Sequence, residues 1–409
     1  MIEYSFNENY DFDDFNPKNI FYKLNEEREK GITGYYNLPN DSMLLIKEIK
    51  EFSSDFSKNA SKIAVIGIGG SSLGTKTIYS ILKHKYPLKE MIFLENPDPI
   101  DLEEKFKRID ENTLFIVVSK SGKTIETISI FKAILGYFNL DLKKDKKRFI
   151  FISDENSPLC NLADENNIKF YSIPKNVGGR FSVFSAVGVV PLMLSGINMK
   201  EILIGAKEMI DRFFEKKEMH IIKKAFFLAK NYEKFVENVL FAYSNILEDF
   251  SKWYVQLIGE SIGKIKDNKR VGITPIAHIG SIDQHSFLQL IMEGPLNKSV
   301  TFLKIRYFES DLKIPDISLP FLEETNFVNS KTFNELINKE ADATYEAISS
   351  IGVPADMIVM DKISEINIGE LMTYYMLLTS SLGAFLEINT YNQPGVELGK
   401  KILRNKFEG

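Results

Sequence analysis

Short runs of β-branched and other apolar residues alternate with longer amphipathic runs along most of this chain. Such alternation is typical of βαβ units, in which helices join parallel strands. In the first half the amphipathic runs Thr75–Lys83 and Thr124–Phe138 predict helices, as does the apolar run after Arg180. The strands predicted there are Ile63–Ile68, Met91–Glu95, Leu114–Ser119, Phe149–Asp154 and Lys169–Ile173. We therefore expect an α/β fold with parallel central sheets.

A second set of alternating runs follows the charged segment Asp211–Glu218, which we take as the domain junction. Its predicted strands are Val271–Pro275, Val300–Arg306 and Met357–Asp361, and its predicted helices are Trp253–Ile258, Ser286–Met292, Phe333–Ser349 and Gly369–Leu386. A length of 409 residues suits two or three domains. We predict a helical or irregular N-terminal segment over residues 1–45. Two similar α/β sandwich domains follow, over 46–210 and over 211–409, the second ending in a C-terminal helix.

Charge and composition narrow the classes of partner. Lys and Arg number 51 against 56 Asp and Glu, so the chain offers no broad basic surface for nucleic acid or anionic lipid. The acidic N-terminus has no basic and apolar leader pattern, and the apolar run Val183–Ile197 is too short to span a bilayer. Cys160 is the sole cysteine and the four histidines are scattered, which argues against disulfides and metal clusters. We expect a cytoplasmic protein.

The segment NVGGRFSVFSAVG, residues 176–188, places Arg180 behind Gly178 and Gly179 and ahead of an apolar run. A guanidinium keeps its charge, so it needs an anionic partner. Glycine has no Cβ and lets backbone pass close to such a partner. The segment predicts the rim of a pocket for an anion.

Two further loops follow predicted adjacent strands. GIGGSSLG, residues 67–74, is glycine-rich and opens a helix, where backbone N–H groups favour an anion. It matches neither the dinucleotide nor the P-loop pattern, and a tight turn for packing alone is the alternative. SKSGKTIET, residues 119–127, adds three hydroxyl groups before a helix. It suits a monoester phosphate, although the hydroxyls would also serve as helix caps. The two loops would meet at the carboxyl edge of the sheet.

The second half adds titratable residues in unusual settings. Glu260 lies in GESIGK, His285 in SIDQHSFLQL and Lys400 at the end of YNQPGVELGKK. Each also has a non-catalytic interpretation. Glu260 would be a surface carboxylate, His285 a capping or core histidine, and Lys400 a solvent-exposed lysine. The run KKDKKR, residues 143–148, is interpreted as a solvated loop before a strand rather than an anion patch.

Together these segments resemble the glucose-6-phosphate isomerase (phosphoglucose isomerase) family, compact bacterial type. NVGGRFSVFSAVG and YNQPGVELGK are similar to its two signatures, and GIGGS, SKSGKT, GESIGK and DQHS fall between them in the family's order. The likeness extends from about Gly67 to Lys400. It implies two αβα sandwich domains of the sugar isomerase (SIS) type.

The resemblance implies reversible isomerisation of glucose 6-phosphate and fructose 6-phosphate, a step of glycolysis and gluconeogenesis. Glu260 is expected to be the base that moves a proton between C2 and C1 through an enediolate. Arg180 is expected to stabilise the developing negative charge. His285 and Lys400 are expected to open the sugar ring, with the division of labour between them left open.

The resemblance also implies how the substrate is held. The expected phosphate-binding and substrate-binding residues are Ser119, Lys120, Ser121, Thr124, Gly70, Ser71 and Gln393. No metal or organic cofactor is implied. A homodimer is implied, in which the histidine enters the site from the neighbouring subunit.

Three residues depart from the family pattern: Asn392, Lys175 and Lys123. None carries an assigned chemical role, but Asn392 lacks the usual charge beside Gln393, and Lys123 either adds charge near the phosphate or faces solvent. Two alternatives remain at this point. One is a related isomerase that also accepts mannose 6-phosphate, and the other is a non-enzymatic sugar-phosphate sensor.

Overall fold

The structure, a computed structural model, describes residues 2–52 and 55–408. The chain begins with strand β1 (Ile2–Phe6), followed by helices α1 (Lys18–Glu29), α2 (Leu38–Phe52) and α3 (Asp55–Asn59). Sequence analysis expected only helical or irregular structure over residues 1–45, so β1 corrects it. The strand pairs with a distant part of the chain, and the alternation of apolar and polar residues in IEYSF is a strand signal that was missed.

The first sheet contains every strand predicted for it, and all of its pairs are parallel. Its strands are β2 (Lys62–Ile66), β3 (Glu90–Leu94), β4 (Thr113–Val118), β5 (Phe149–Ser153) and β6 (Lys169–Ser172), and its helices are α4 (Leu73–Leu82), α5 (Pro99–Phe106), α6 (Ile125–Tyr137), α7 (Pro158–Asn166) and α8 (Ala186–Ser195). The strand order is β3-β2-β4-β5-β6. The loops after β2 and β4 therefore leave neighbouring strands, as predicted.

Local sequence explains where several of these helices begin. Asp98 caps α5 by accepting from the backbone N–H of Ile100 at 3.0 Å, and Ser157 caps α7 by accepting from that of Cys160 at 3.1 Å. In both helices a proline occupies the first turn, where its missing N–H costs nothing. The run of residues 143–148 is an exposed to half-buried loop ahead of β5, which confirms its interpretation as a solvated loop.

Helices α9 (Met199–Phe214) and α10 (Met219–Lys230) lead into the second half, so the predicted junction at 211–218 covers the end of α9 and the short connection after it. One hydrophobic core joins side chains from both sheets and from these helices. Two smaller clusters cover the outer faces, one on each sheet. The domain boundary itself stays a prediction.

The second sheet has the strand order β1-β12-β11-β7-β10. Four of its strands run parallel, and β1 lies antiparallel at the edge. The elements of this half are β7 (Glu237–Ala242), α11 (Glu248–Ile262), β8 (Lys264–Lys266), β9 (Lys269–Val271), β10 (Thr274–Ile279), α12 (Leu288–Glu293), β11 (Lys298–Tyr307), α13 (Phe333–Ser350), β12 (Ala355–Lys362), α14 (Glu365–Leu386) and α15 (Glu397–Glu408).

Three details of this half differ from the sequence prediction. Strand β7 was missed. The predicted strand Val271–Pro275 is wrong, because a small antiparallel hairpin ends at Val271 and β10 begins only at Thr274. The helix predicted over Ser286–Met292 begins later, after a 3-10 turn over Ile282–His285.

Helix α14 is buried almost throughout and packs against α9, α10 and α11. A helix that is apolar on all sides is stable when other elements of the fold surround it and exclude water. Within the described residues, no helix combines the length and the apolar character needed to cross a bilayer.

Candidate active site

Arg180 lies in a 3-10 turn (Gly179–Phe181) just ahead of α8, and it is 1% exposed. The predicted pocket rim is therefore a buried position. Burial lowers the pKa of Arg180 below its ordinary value, while the Glu260 carboxylate opposes that shift. A buried guanidinium needs charge pairing and hydrogen bonds on its N–H groups.

Two of its acceptors lie on the last turn of α11. Nε of Arg180 donates to the hydroxyl of Ser261 at 2.6 Å, and Nη1 donates to Oε2 of Glu260 at 3.3 Å. The anionic partner expected from sequence is thus a protein carboxylate. Glu260 and Ser261 are consecutive residues, so one helix turn holds both Nε and Nη1 of the guanidinium.

The other acceptors lie in the segment between α14 and α15. Nη1 of Arg180 also donates to Oε1 of Gln393 at 3.0 Å. Nη2 donates to the backbone oxygens of Thr390 at 2.7 Å and Asn392 at 3.4 Å. All five N–H groups of the guanidinium are therefore engaged. We call Arg180 with these five acceptors the arginine clamp. Asn392 contributes its backbone, so its departure from the family pattern does not alter this contact.

The glycines around the clamp bring two loops together. A Cβ at Gly70 would lie 2.3 Å from the carbonyl carbon of Gly179, which no real side chain tolerates. Gly178 and Gly179 themselves have room for a Cβ at ordinary contact distances of 3.6 Å. Sequence predicted that backbone passes close to a partner at Arg180. In the structure, it is the loop after β2 that passes close to the clamp, and Gly70 permits this approach.

Glu260 receives a second hydrogen bond from its own helix. Nε2 of Gln256, one turn earlier on α11, donates to Oε1 of Glu260 at 3.1 Å. Oε1 of Gln256 is buried and accepts no hydrogen bond in the described residues. The Glu260 side chain remains 36% exposed. Sequence analysis missed Gln256, although its spacing of four residues from Glu260 places both on one helix face.

The loop after β4 gathers the hydroxyl groups predicted to bind phosphate. Oγ of Ser119 and Oγ1 of Thr124 lie 2.9 Å apart, and Gly122 adopts a φ of +67° that suits glycine. Thr124 begins α6 without capping it through its side chain, so capping alone does not account for this hydroxyl. Ser121 and Lys123 are exposed.

Lys120 ties this loop to the segment that leads to the clamp. Its Nζ donates to the backbone oxygens of Val177 at 2.7 Å and Lys175 at 3.0 Å. These contacts use the backbone of Lys175, whose side-chain type departs from the family pattern. Lys120 therefore braces the two loops against each other.

His285 and Lys400 lie apart from the clamp. His285 is exposed at the end of its 3-10 turn, which excludes a core histidine, and the described residues give its ring no hydrogen-bond or ion-pair partner. Lys400 is on α15, its side chain is 63% exposed, and its Nζ lies 2.7 Å from Oε1 of Glu397. This is the solvent-exposed alternative considered for Lys400. The chain by itself brings neither residue into contact with Glu260.

A cavity of about 820 Å³ borders Glu260 and Gln393. The hairpin β8–β9 and the segment that follows α14 form its other walls. Lys264, the first residue of that hairpin, donates from Nζ to the backbone oxygen of Glu260 at 2.8 Å. The cavity thus lies directly beside the carboxylate that sequence analysis selected as the base.

Two helix-flanked sheets, parallel apart from the edge strand β1, give the chain the α/β fold of the sugar isomerase (SIS) type. A profile of the family described as phosphoglucose isomerase matches residues 47–407. The chain belongs to the phosphoglucose isomerase family.

Individual relatives agree with this assignment. Glucose-6-phosphate isomerase of Campylobacter jejuni is 43% identical, over 94% of this chain and 94% of that protein. Among solved structures, a hypothetical protein of Thermus thermophilus matches with a TM-score of 0.88 and 30% identity, over 96% of this chain and 94% of that one. A glucose-6-phosphate isomerase of Chlamydia trachomatis matches in fold with a TM-score of 0.76 at 23% identity, over 90% of this chain and 73% of that one.

Proposed function

We propose that this chain catalyses the reversible isomerisation of D-glucose 6-phosphate and D-fructose 6-phosphate, in glycolysis and gluconeogenesis in the cytoplasm. Family membership and the names of the curated relatives favour this reaction over the mannose 6-phosphate and sensor alternatives. The observation that carries the proposal is the Glu260 carboxylate, which is held by Arg180 and Gln256 beside an open cavity.

Glu260 is the proposed base. It removes the proton from C2 of the opened aldose, so that the C1–C2 double bond forms and the negative charge of the enediolate lies on O1. The same carboxyl group returns the proton to C1 while the hydroxyl proton of O2 passes to O1, which leaves the C2 ketone. Each carboxylate oxygen accepts one hydrogen bond from the protein and keeps a further lone pair for the substrate proton. Those two bonds also restrict the carboxylate to one orientation, which favours transfer over a short distance.

Arg180 supports this step in a manner that the sequence did not reveal. Because its five N–H groups already donate to protein acceptors, a direct hydrogen bond to the enediolate would require it to release one of them. We propose that it acts through its buried positive charge and by fixing Glu260. A preorganised charge in a partly dry site stabilises the developing anion without rearrangement.

The loop after β4 is the proposed phosphate site, with Ser119, Ser121 and Thr124 as hydroxyl donors. The bond between Ser119 and Thr124 would then be exchanged for bonds to phosphate oxygens. The N-terminus of α6 adds positive potential there. Gly70 and Ser71 of the neighbouring loop complete the proposed contacts. Lys120 holds the loop after β4 against the segment that leads to the clamp, and Gln393 faces the sugar.

Ring opening is assigned to His285 and Lys400, and we propose that a homodimer brings the histidine of one copy to the clamp of the other. The exposure of both residues in the single chain supports this. The connection between β11 and α13 also exposes several large apolar side chains: Leu312, Ile317, Leu319, Phe321, Leu322 and Phe327. Exposed apolar groups of this extent are typical of protein interfaces.

A coupled assay tests the proposed reaction. Fructose 6-phosphate is supplied as substrate, and the glucose 6-phosphate formed is oxidised by an NADP-dependent dehydrogenase, with a chelator present throughout. We expect turnover that the chelator leaves unchanged. A rate no higher than that of Glu260→Gln protein prepared in parallel would refute the proposed function.

A further inference from the structure

Lys264 is a charged residue of this cavity to which the reaction above gives no role. It follows Gly263, the residue that ends α11, and its Nζ donates to the backbone oxygen of Glu260 at 2.8 Å. An ammonium has three N–H donors, so this contact leaves two of them available. Lys264 lines the same cavity of about 820 Å³ as Glu260 and Gln393.

A structural explanation for Lys264 is available. Lysines near the C-terminus of a helix commonly donate to its last carbonyl groups. Such a cap accounts for the contact with the Glu260 backbone. It does not account for a half-buried ammonium close enough to Arg180 to interact with it. Burial and then Arg180 lower the pKa of Lys264 from 10.5 to about 8, and Glu260 opposes this shift. A lysine that capped the helix from the solvent side would avoid both the burial of its ammonium and the repulsion from Arg180.

The clamp makes the second cation useful. Every N–H group of Arg180 donates to the protein, whereas Lys264 retains donors on the cavity side of the base. We propose that Lys264 is a further positioning residue of this site, whose ammonium fixes the backbone of Glu260 and supplies positive charge where the enediolate forms. The inference rests on the isomerase activity proposed above.

This charge titrates within a measurable range. Lys264 is protonated below pH 8 and loses its charge as the pH rises through about 8, so kcat/KM is expected to fall there. Other charged groups face it from each neighbouring element: Glu260 on α11, Arg180 in its 3-10 turn, Lys266, Asp267 and Arg270 on the hairpin, and Glu387 after α14. Lys266 and Glu387 pair with each other at 2.7 Å, which largely balances their charges.

The test compares the pH dependence of wild type, Lys264→Arg and Lys264→Gln, with Lys266→Gln as the control. Lys266 is two residues further along β8 and lines the same cavity, but its ammonium contacts Glu387 and the backbone of Leu386. Reactions run at pH 6.5 to 9.5 are stopped and their products measured at one fixed pH. Thermal melting of each variant reports folding.

We expect Lys264→Gln to lower kcat about tenfold at pH 7 and to flatten the alkaline decline, because one charge beside the reacting atoms is lost. Lys264→Arg keeps its charge at every pH tested, so it should retain most of the activity and lose the decline near pH 8. Lys266→Gln should match wild type.

Two outcomes overturn the role of Lys264. One is an alkaline decline that persists at the same midpoint in Lys264→Arg, and the other is an equal loss of activity in Lys264→Gln and Lys266→Gln. Either result leaves the proposed isomerase standing, provided that wild type converts the sugar phosphates. Wild type without that conversion would refute the proposed function instead.

Discussion

The arginine clamp and the pair His285 and Lys400 differ in how completely the protein surrounds them. Arg180 is 1% exposed and each of its N–H groups has a protein acceptor. His285 and Lys400 are both exposed, and Lys400 contacts only a neighbour on its own helix within the described residues. One chain therefore fixes the proton-transfer half of the proposed site and leaves the ring-opening half unplaced.

This difference shows where the precision of each half originates. The clamp joins the turn before α8, the end of α11 and the segment before α15, so folding of the chain positions Glu260. In the proposed homodimer, His285 reaches Glu260 from the neighbouring copy. Substitutions in the clamp should therefore affect stability and chemistry together, and those at the exposed residues should affect chemistry alone.

Glu260→Gln should have the largest effect on the rate. The amide keeps the size of the side chain and cannot take the C2 proton, so kcat should fall by about 10³ to 10⁴. Exchange of the C2 hydrogen with solvent, followed by NMR, should stop while sugar phosphate still binds. Glu387→Gln, which removes an exposed carboxylate from the same cavity, is the control and should exchange normally. Persistent exchange in Glu260→Gln would show that another group is the base.

Arg180→Lys should affect both rate and stability. Lysine has three donors where arginine has five, so at least two of the five acceptors lose their bond. We expect kcat to fall about 100-fold and the free energy of unfolding to fall by about 2 to 4 kcal/mol. Urea denaturation measures the second effect, with Arg404→Lys on the exposed face of α15 as the control. An unchanged denaturation midpoint would mean that the clamp is not rigid.

Gly70→Ala should have a smaller effect on the same region. Its Cβ would lie 2.3 Å from the backbone of Gly179, so the loop after β2 must shift away from the clamp. We expect kcat/KM to fall about tenfold through this displacement. Gly399→Ala on α15 is the matched control, because its Cβ meets nothing within 4 Å and alanine favours a helix. Equal activity of the two variants would argue against a functional contact between the loops.

Much of the first sheet was predictable from sequence because strands β2 to β5 each contain a short continuous apolar run. Strand β1 was not predicted, although its residues IEYSF alternate between apolar and polar types. The acidic stretch that follows it favoured an irregular segment, and its partner β12 lies near the other end of the chain. Strand β7 was missed because the charged residues Glu233, Lys234 and Glu237 lie directly ahead of its apolar run. The error at Val271–Pro275 has a different cause. The predicted strand ran across residues 272–273, which separate β9 from β10.

The candidate site shows a similar division. The segments NVGGRFSVFSAVG and GESIGK located Arg180 and Glu260, and the structure places their side chains in contact. Helical spacing would have added Gln256, which lies four residues before Glu260. Sequence alone could not show that all five N–H groups of Arg180 have protein acceptors, because two of these acceptors are the backbone oxygens of Thr390 and Asn392. Backbone acceptors leave no residue-type signal.

We propose that a second copy of the chain completes the site, and mixing of subunits tests this most directly. Glu260→Gln and His285→Ala proteins, each inactive alone, are mixed in equal amounts and allowed to exchange subunits, which differential labelling verifies. If the histidine acts in the partner's site, half of the dimers are mixed and one site in each is intact, so activity should recover to about a quarter of wild type. No recovery after verified exchange would contradict a shared site.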